Sequence, residues 1–189
     1  RLRPVLEALA DPVARHGMLI SIDTFRSEIV RRSYESIGEF IVNDISAGED
    51  DPRMLSLVGQ LKLPYIAMHK RGNPRTMDSL CTYGDDIVEE LKRYFKQFGQ
   101  RAAEAGVEGW ILDPGLGFAK SPGQCWEILE RLEELDMPGH PILIGAADKR
   151  FTGGDNDRAH QIAALHGAAI LRVHDVEGTR RCLESIGRF

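Results

Sequence analysis

Residues 110–120 read WILDPGLGFAK, and the reading of this stretch decides the fold. The apolar run Trp110-Ile111-Leu112 stops at a carboxylate, Asp113. Pro114 and Gly115 then turn the backbone, and Leu116-Gly117-Phe118 follow before Lys120. This is the pattern of a buried parallel strand whose last residue carries an acid into a loop. Taken alone, Asp-Pro-Gly reads equally well as a plain surface turn.

Five other stretches repeat the pattern. LISID (19–23) ends in Asp23, FIVN (40–43) in Asn43, and YIAMH (65–69) in Met68 and His69. PILIG (141–145) ends at Gly145 shortly before Lys149, and AILRVH (169–174) ends in Arg172 and His174. Each run delivers polar or close-approach residues at its C-terminal end, and helical spacings fill the intervals. Helices are predicted over 1–16, 26–36, 52–61, 85–105, 123–135, 159–166 and 177–186. Thr24 is the expected N-cap of the second of these, and Gly187 the C-cap of the last. In the first, Leu2, Val5, Leu6, Leu9 and Val13 fall at helical spacing. In the fourth, Ile87, Val88, Leu91, Tyr94, Phe95 and Phe98 form a core stripe.

Strand–helix alternation with polar strand ends points to an α/β fold, a (β/α)8 TIM barrel with its site at the C-terminal mouth of the strands. Such a barrel has eight strands in roughly 250 residues. The 189 residues here carry six. An open six-stranded parallel sheet is the structural alternative. The opening helix has no strand before it and reads as the tail of a βα unit. The expectation is one domain over 1–189 that lacks the first two β/α units.

The net charge of -5 and the absence of any basic stripe argue against a nucleic-acid partner. No apolar run approaches the roughly 20 residues of a membrane span. No signal-peptide pattern stands at Arg1. Cys81, Cys125 and Cys182 are scattered without CxxC spacing, which reads as reduced structural cysteine in a cytoplasmic protein. The polar stretch 70–84 is long for a connection inside a compact domain and is expected to be functional.

The strand-end stretches resemble dihydropteroate synthase, in the pterin-binding barrel superfamily. The residues that carry the resemblance are ISIDT (20–24), IVNDI (41–45), AMHKRG (67–72) with Pro74 and Thr76-Met77, LDPGLGFAK (112–120), Ile144-Gly145 with Lys149, and LRVHDV (171–176). They run in family order over nearly the whole chain. The resemblance implies condensation of 6-hydroxymethyl-7,8-dihydropterin diphosphate with p-aminobenzoate, giving dihydropteroate and pyrophosphate. It implies a pterin site of Asp23, Asn43, Met68, Asp113, Gly145, Lys149 and Arg172. The diphosphate falls to Arg172 and His174, and p-aminobenzoate to Phe118, Gly117 and Arg150. Lys149, Arg172 and His174 are the implied catalytic residues. A Mg2+ ion, held by an Asn of a strand preceding this chain, and a homodimer are implied as well.

The residue chemistry suits these roles. A pterin's pyrimidine edge presents N–H donors beside a carbonyl; carboxylates accept from the donors, and an amide such as Asn43 does both. An ammonium donates to the carbonyl, and a guanidinium offers a flat face together with charge-assisted donors. Loss of diphosphate leaves positive charge on a benzylic-type carbon, so positioning and charge neutralisation suffice without a protein nucleophile. Each residue also has a plainer role. Asp23 reads as a helix cap, Asn43 as a cap of its own loop, Met68 as core and His69 as a structural histidine. Lys149 and Arg172 read as solvated or acid-paired, and His174-Asp175 as a local pair.

The sequence departs from the family after the seventh barrel strand. A Ser-Arg-Lys-Ser run is usual there, and this chain has Ala147-Asp148-Lys149-Arg150. Asp148 in place of an arginine works against an anionic second substrate, while Arg150 offers a compensating cation. Two other functions fit the same pocket: a methyltetrahydrofolate-dependent methyltransferase that partners a corrinoid protein, and a catalytically impaired pterin-binding paralogue.

Overall fold

The computed structural model describes residues 2–189 except Pro74 and Asp85, and all their side chains but those of Arg3, Ala10, Ala14 and Asp78. Pro74 of the quoted motif, and Arg1 and Asp85 at the starts of two predicted helices, lie outside the described residues. Contacts group the chain into two units, residues 1–68 with 97–111 and residues 69–96 with 112–189. Two elements run from one unit into the other: α4 (Ile87–Glu104) and β4 (Trp110–Asp113).

The first unit opens with α1 (Leu2–His16), followed by β1 (Ser21–Asp23), α2 (Ser27–Ile37), β2 (Ile41–Asp44), α3 (Met54–Leu61) and β3 (Tyr65–Met68). The strands lie in the order β1-β2-β3-β4. The β1–β2 and β2–β3 pairs are parallel, as βα repeats require. Val30, Val42, Met54, Val58 and Phe98 are fully buried beneath them. Phe98 stacks on Tyr65 at 5.9 Å and meets Trp110 edge-on at 4.9 Å between centroids. Gly59 is required where α3 crosses the end of α4: a Cβ there would stand 1.9 Å from the Ala105 carbonyl oxygen.

In the second unit β5 (Leu143–Ile144) and β6 (Ile170–Leu171) pair in parallel. A parallel bridge from Leu112 to Ile142 joins them to the end of β4. Around them lie α5 (Pro122–Glu130), a short 3-10 turn at Leu132–Leu135, α6 (Asn156–Leu165) and α7 (Val176–Glu184). α5 starts with Pro122 and a reciprocal capping box between Ser121 and Gln124.

All six predicted strands are present, β5 and β6 in shortened form. Pro141 has no N–H to donate, so the ladder there begins late. The predicted 123–135 helix is broken into α5 and the 3-10 turn. The Thr24 hydroxyl accepts from the Arg26 N–H at 3.2 Å, just before α2, and the first helical N–H goes to a distant acid. Asp51 accepts from both the backbone N–H and the hydroxyl of Ser27, at 2.8 and 2.6 Å. Of the α1 stripe, Leu6 is buried while Leu2, Val5 and Leu9 are exposed. α7 ends at Glu184 with Ser185, not Gly187, as its C-cap. The three cysteines are thiols outside any disulfide.

Candidate active site

Strand alternation sorts the candidates of the first unit. Asp23 sits beside Asn43 in register, and Asn43 beside Ile66. Side chains two apart share a face, so Asp23, Asn43 and Met68 lie on one side of the sheet. Asp44 and Tyr65 lie on the other, where the Tyr65 hydroxyl donates to Asp44 at 2.6 Å. Asp44 also accepts from the Ser46 N–H (2.8 Å), the Ser46 hydroxyl (2.7 Å) and the Gly48 N–H (2.9 Å). This carboxylate, not Asn43, caps the loop. Asn43 is left with its side-chain oxygen buried and without a partner among the described residues. A buried unpaired acceptor costs the folded chain about 1–3 kcal/mol. Asp23 is exposed and does not cap α2, whose N-terminus is taken by Asp51. Met68 is buried.

The second unit carries the charged groups. Asp113 is 2% exposed and accepts a 2.8 Å hydrogen bond from the Gly115 N–H. Burial raises its pKa above the usual carboxylate range, against the Gly115 N–H and the cations Arg172, Lys120 and Lys149. Burial likewise lowers the Lys149 pKa, helped by Arg172 and opposed by Asp113. Arg172 lies across the end of β5, and Gly145 makes room for it: a Cβ on Gly145 would meet the guanidinium at 3.0 Å. Gly145 therefore lets a planar cation lie flat against the strand end. His174 is exposed and 3.9 Å from the Asp148 carboxylate, with both groups solvated. Exposed pairs of this kind are weak.

A cleft of about 630 Å3 opens beside these groups, lined by Gly117, Phe118, Lys120, Lys149 and Arg150, with Met77 and Cys81 from the 70–84 stretch. The Lys149 ammonium stands 4.5 Å from the Phe118 ring centroid. The three residues expected to hold p-aminobenzoate, Gly117, Phe118 and Arg150, thus share one cavity. Asp148 also lines it. Its carboxylate accepts from the Asn156 amide at 2.9 Å, and its N–H donates to the Asn156 oxygen at 3.1 Å. The acid replacing the usual arginine is thereby tied into its own turn.

Sequence reasoning gave no role to Lys120, Met77 or Cys81. Lys120 stands in the quoted motif but reads there as one more lysine. The described residues contain no group of three or more His, Cys, Asp or Glu side chains able to hold a metal.

The model of the pterin binding enzyme family matches residues 1–174. The chain belongs to the pterin-binding enzymes. It is 39% identical over 94% of its length to the dihydropteroate synthase of Synechocystis sp., of which it spans 64%. It is 35% identical over its whole length to that of Mycobacterium leprae, of which it spans 72%. The structure of the Xanthomonas albilineans dihydropteroate synthase in complex with 7,8-dihydropteroate superposes with a TM-score of 0.84 at 31% identity. That match covers 98% of this chain and 72% of the other. The fold is that of these TIM-barrel enzymes. The chain spans less than two thirds of the first curated relatives it matches, and among its described residues no helix is long and apolar enough to cross a membrane.

Proposed function

We propose that the protein acts in dihydropteroate synthesis, joining 6-hydroxymethyl-7,8-dihydropterin diphosphate to p-aminobenzoate. The observation that carries this reading is buried Asp113 under the charges of Arg172, Lys120 and Lys149, in the unit whose cleft brings together Gly117, Phe118 and Arg150. Asp113 is an acceptor for pterin N–H groups; Asp23 and Asn43 join it through the resemblance alone. Lys149 donates to the ring carbonyl and Arg172 stacks on the ring above Gly145; Met68 packing on it comes from the resemblance alone. Arg172 and His174 neutralise the diphosphate as the C–O bond breaks. The amine nitrogen of p-aminobenzoate, seated on Phe118 and Gly117, forms the new C–N bond and loses a proton, and pyrophosphate departs. No protein nucleophile takes part; the chain's groups orient the reactants and balance charge.

The same Xanthomonas enzyme has also been solved with 4-aminobenzoic acid, which supports assigning the cleft to that substrate. Arg150 pairs there with the substrate carboxylate and offsets Asp148. A Mg2+ ion belongs to the proposal only through the resemblance. Among the described residues no group of three or more His, Cys, Asp or Glu side chains could hold it. A homodimer in the cytoplasm completes the reading.

Pyrophosphate release with both substrates tests it. Release that requires p-aminobenzoate supports the synthase. Pterin binding without release would instead mark an impaired paralogue, the reading that Asp148 in the cleft favours. Arg150→Ala is expected to raise the KM for p-aminobenzoate several-fold, on the order of one charge-assisted hydrogen bond.

A further inference from the structure

Lys120 is buried at 6% exposure, and its ammonium has three hydrogen-bond partners. These are His69 Nδ1 at 2.9 Å, the Gly115 carbonyl at 3.2 Å and the Phe118 carbonyl at 3.1 Å. An ammonium has three N–H donors, and each has an acceptor here. Burial lowers its pKa to about 7; in the charged form every N–H is used and none is spare for a ligand. Its geometry is that of a fastener.

His69 is built to receive it. The ring is 4% exposed, edge-on to Tyr94 at 4.7 Å and tilted against Tyr83 at 6.0 Å. To accept from an ammonium, Nδ1 must be unprotonated, which places the imidazole proton on Nε2. Burial, then the charges of Lys120 and Arg71, push the His69 pKa down to about 2. The ring is therefore neutral across the physiological range, and as the Nε2–H tautomer it accepts at Nδ1.

The two carbonyls come from either side of Leu116-Gly117. Gly115 and Gly117 both adopt positive φ, 68° and 77°, a conformation open to glycine but loosely held by it. Ordering such a segment costs about 1–2 kcal/mol per residue in backbone entropy. Three further bonds complete the turn. Gly115 N–H donates to Asp113, Phe118 N–H to the Gly115 carbonyl, and Gly117 N–H to Cys125 Sγ at 3.3 Å. The Tyr83 hydroxyl, from the 70–84 stretch, donates to the Ala119 carbonyl at 2.9 Å.

We propose that Lys120, seated on His69, is a positioning residue that locks the Gly115–Phe118 turn in the shape presenting Gly117 and Phe118 to the aromatic amine substrate. The identity of that substrate rests on the function proposed above. The lock itself rests on the hydrogen bonds alone.

The test uses the full chain and three variants, Lys120→Met, His69→Leu and His69→Asn. Amide hydrogen exchange at Gly115, Gly117 and Phe118 is expected to quicken about tenfold in Lys120→Met and His69→Leu, the effect of one charge-assisted bond. Amides in β1 and β2 are the control and keep their rates. In His69→Asn an amide oxygen stands near the former Nδ1, and exchange at the turn stays close to that of the unaltered protein. Nitrogen-15 shifts of His69 are expected to show a bare Nδ1. Unchanged exchange in Lys120→Met, or a protonated Nδ1, overturns the proposal. In turnover assays, Lys120→Met is expected to raise the KM for p-aminobenzoate about tenfold with kcat little changed. A raised KM with unaltered turn exchange would make Lys120 a direct ligand and also overturn it. If Lys120→Met fails to fold, the two His69 variants decide by their contrast. If the unaltered protein releases no pyrophosphate, the functional reading falls, and the exchange and nitrogen-15 results still decide the lock.

Discussion

Asp44 and Asp113 are both buried carboxylates at the ends of parallel strands, and they use their oxygens in opposite ways. Asp44 accepts four hydrogen bonds, from Ser46 twice, Gly48 and Tyr65. A carboxylate has about four lone-pair sites, so it is saturated by its own chain. Asp113 accepts one such bond among the described residues, from Gly115, and the rest of its compensation comes from cations that are themselves short of counter-charge. A buried acid whose acceptors are all used is scaffold. One held with spare acceptor capacity costs the folded chain, and it suits the ligand role proposed for Asp113.

The sharpest way to break the contrast is at Asp44. Asp44→Ala orphans two N–H groups and two hydroxyls in the interior of the first unit. It is expected to cost about 3 kcal/mol or more of unfolding free energy, measured in urea. A loss below about 1 kcal/mol would mean that the four bonds do not hold the β2 loop.

A smaller effect separates His69 by pH. Its pKa falls from 6.5 to about 2 on folding. The unfolded chain takes up a proton below about 6.5 that the folded chain refuses until about 2. Stability from this group is therefore present above 6.5 and lost as pH drops toward 2, at a slope of up to about 1.4 kcal/mol per pH unit. His69→Asn is expected to flatten that part of the curve. An identical pH dependence in the variant would show that His69 is not held neutral. Smaller still is Ser121→Ala, which removes one half of the capping box that closes the Asp113 loop. It is expected to cost about 1 kcal/mol, read as a shift in the denaturation midpoint.

The same contrast explains what was legible in the sequence. Apolar runs that stop at polar residues located all six strands, because burial on both faces forces a continuous apolar run and the strand end is where it lifts. The motif 112–120 marked Asp113 for the same reason. Asp44 was passed over because it follows Asn43 by one residue. Only the alternation of faces, fixed once β2 is paired, shows which of the two points at Tyr65. Asp51 capping α2 from 24 positions away, and Lys120 reaching His69 across 51, are tertiary contacts that local capping and spacing rules do not contain. The α1 spacing found its helix, but periodicity does not report what covers it; Leu2, Val5 and Leu9 are apolar yet exposed. Arg172 was placed at a strand end correctly, but the reason Gly145 precedes it emerged only from the guanidinium resting where a Cβ would be.

The most direct test lies at Asp113. Burial raises its folded pKa, so its contribution to stability is present below the unfolded pKa and lost as pH rises through the folded one. Replacing it with neutral Asn relieves the ligand-free protein at neutral pH. Calorimetry of Asp113→Asn with 6-hydroxymethyl-7,8-dihydropterin diphosphate is expected to show binding weakened at least about a hundredfold, the effect of orphaning buried donors on the ligand. The melting temperature of the free variant should equal or exceed that of the unaltered protein. Undiminished pterin binding, or a large loss of stability like that expected for Asp44→Ala, would contradict the account.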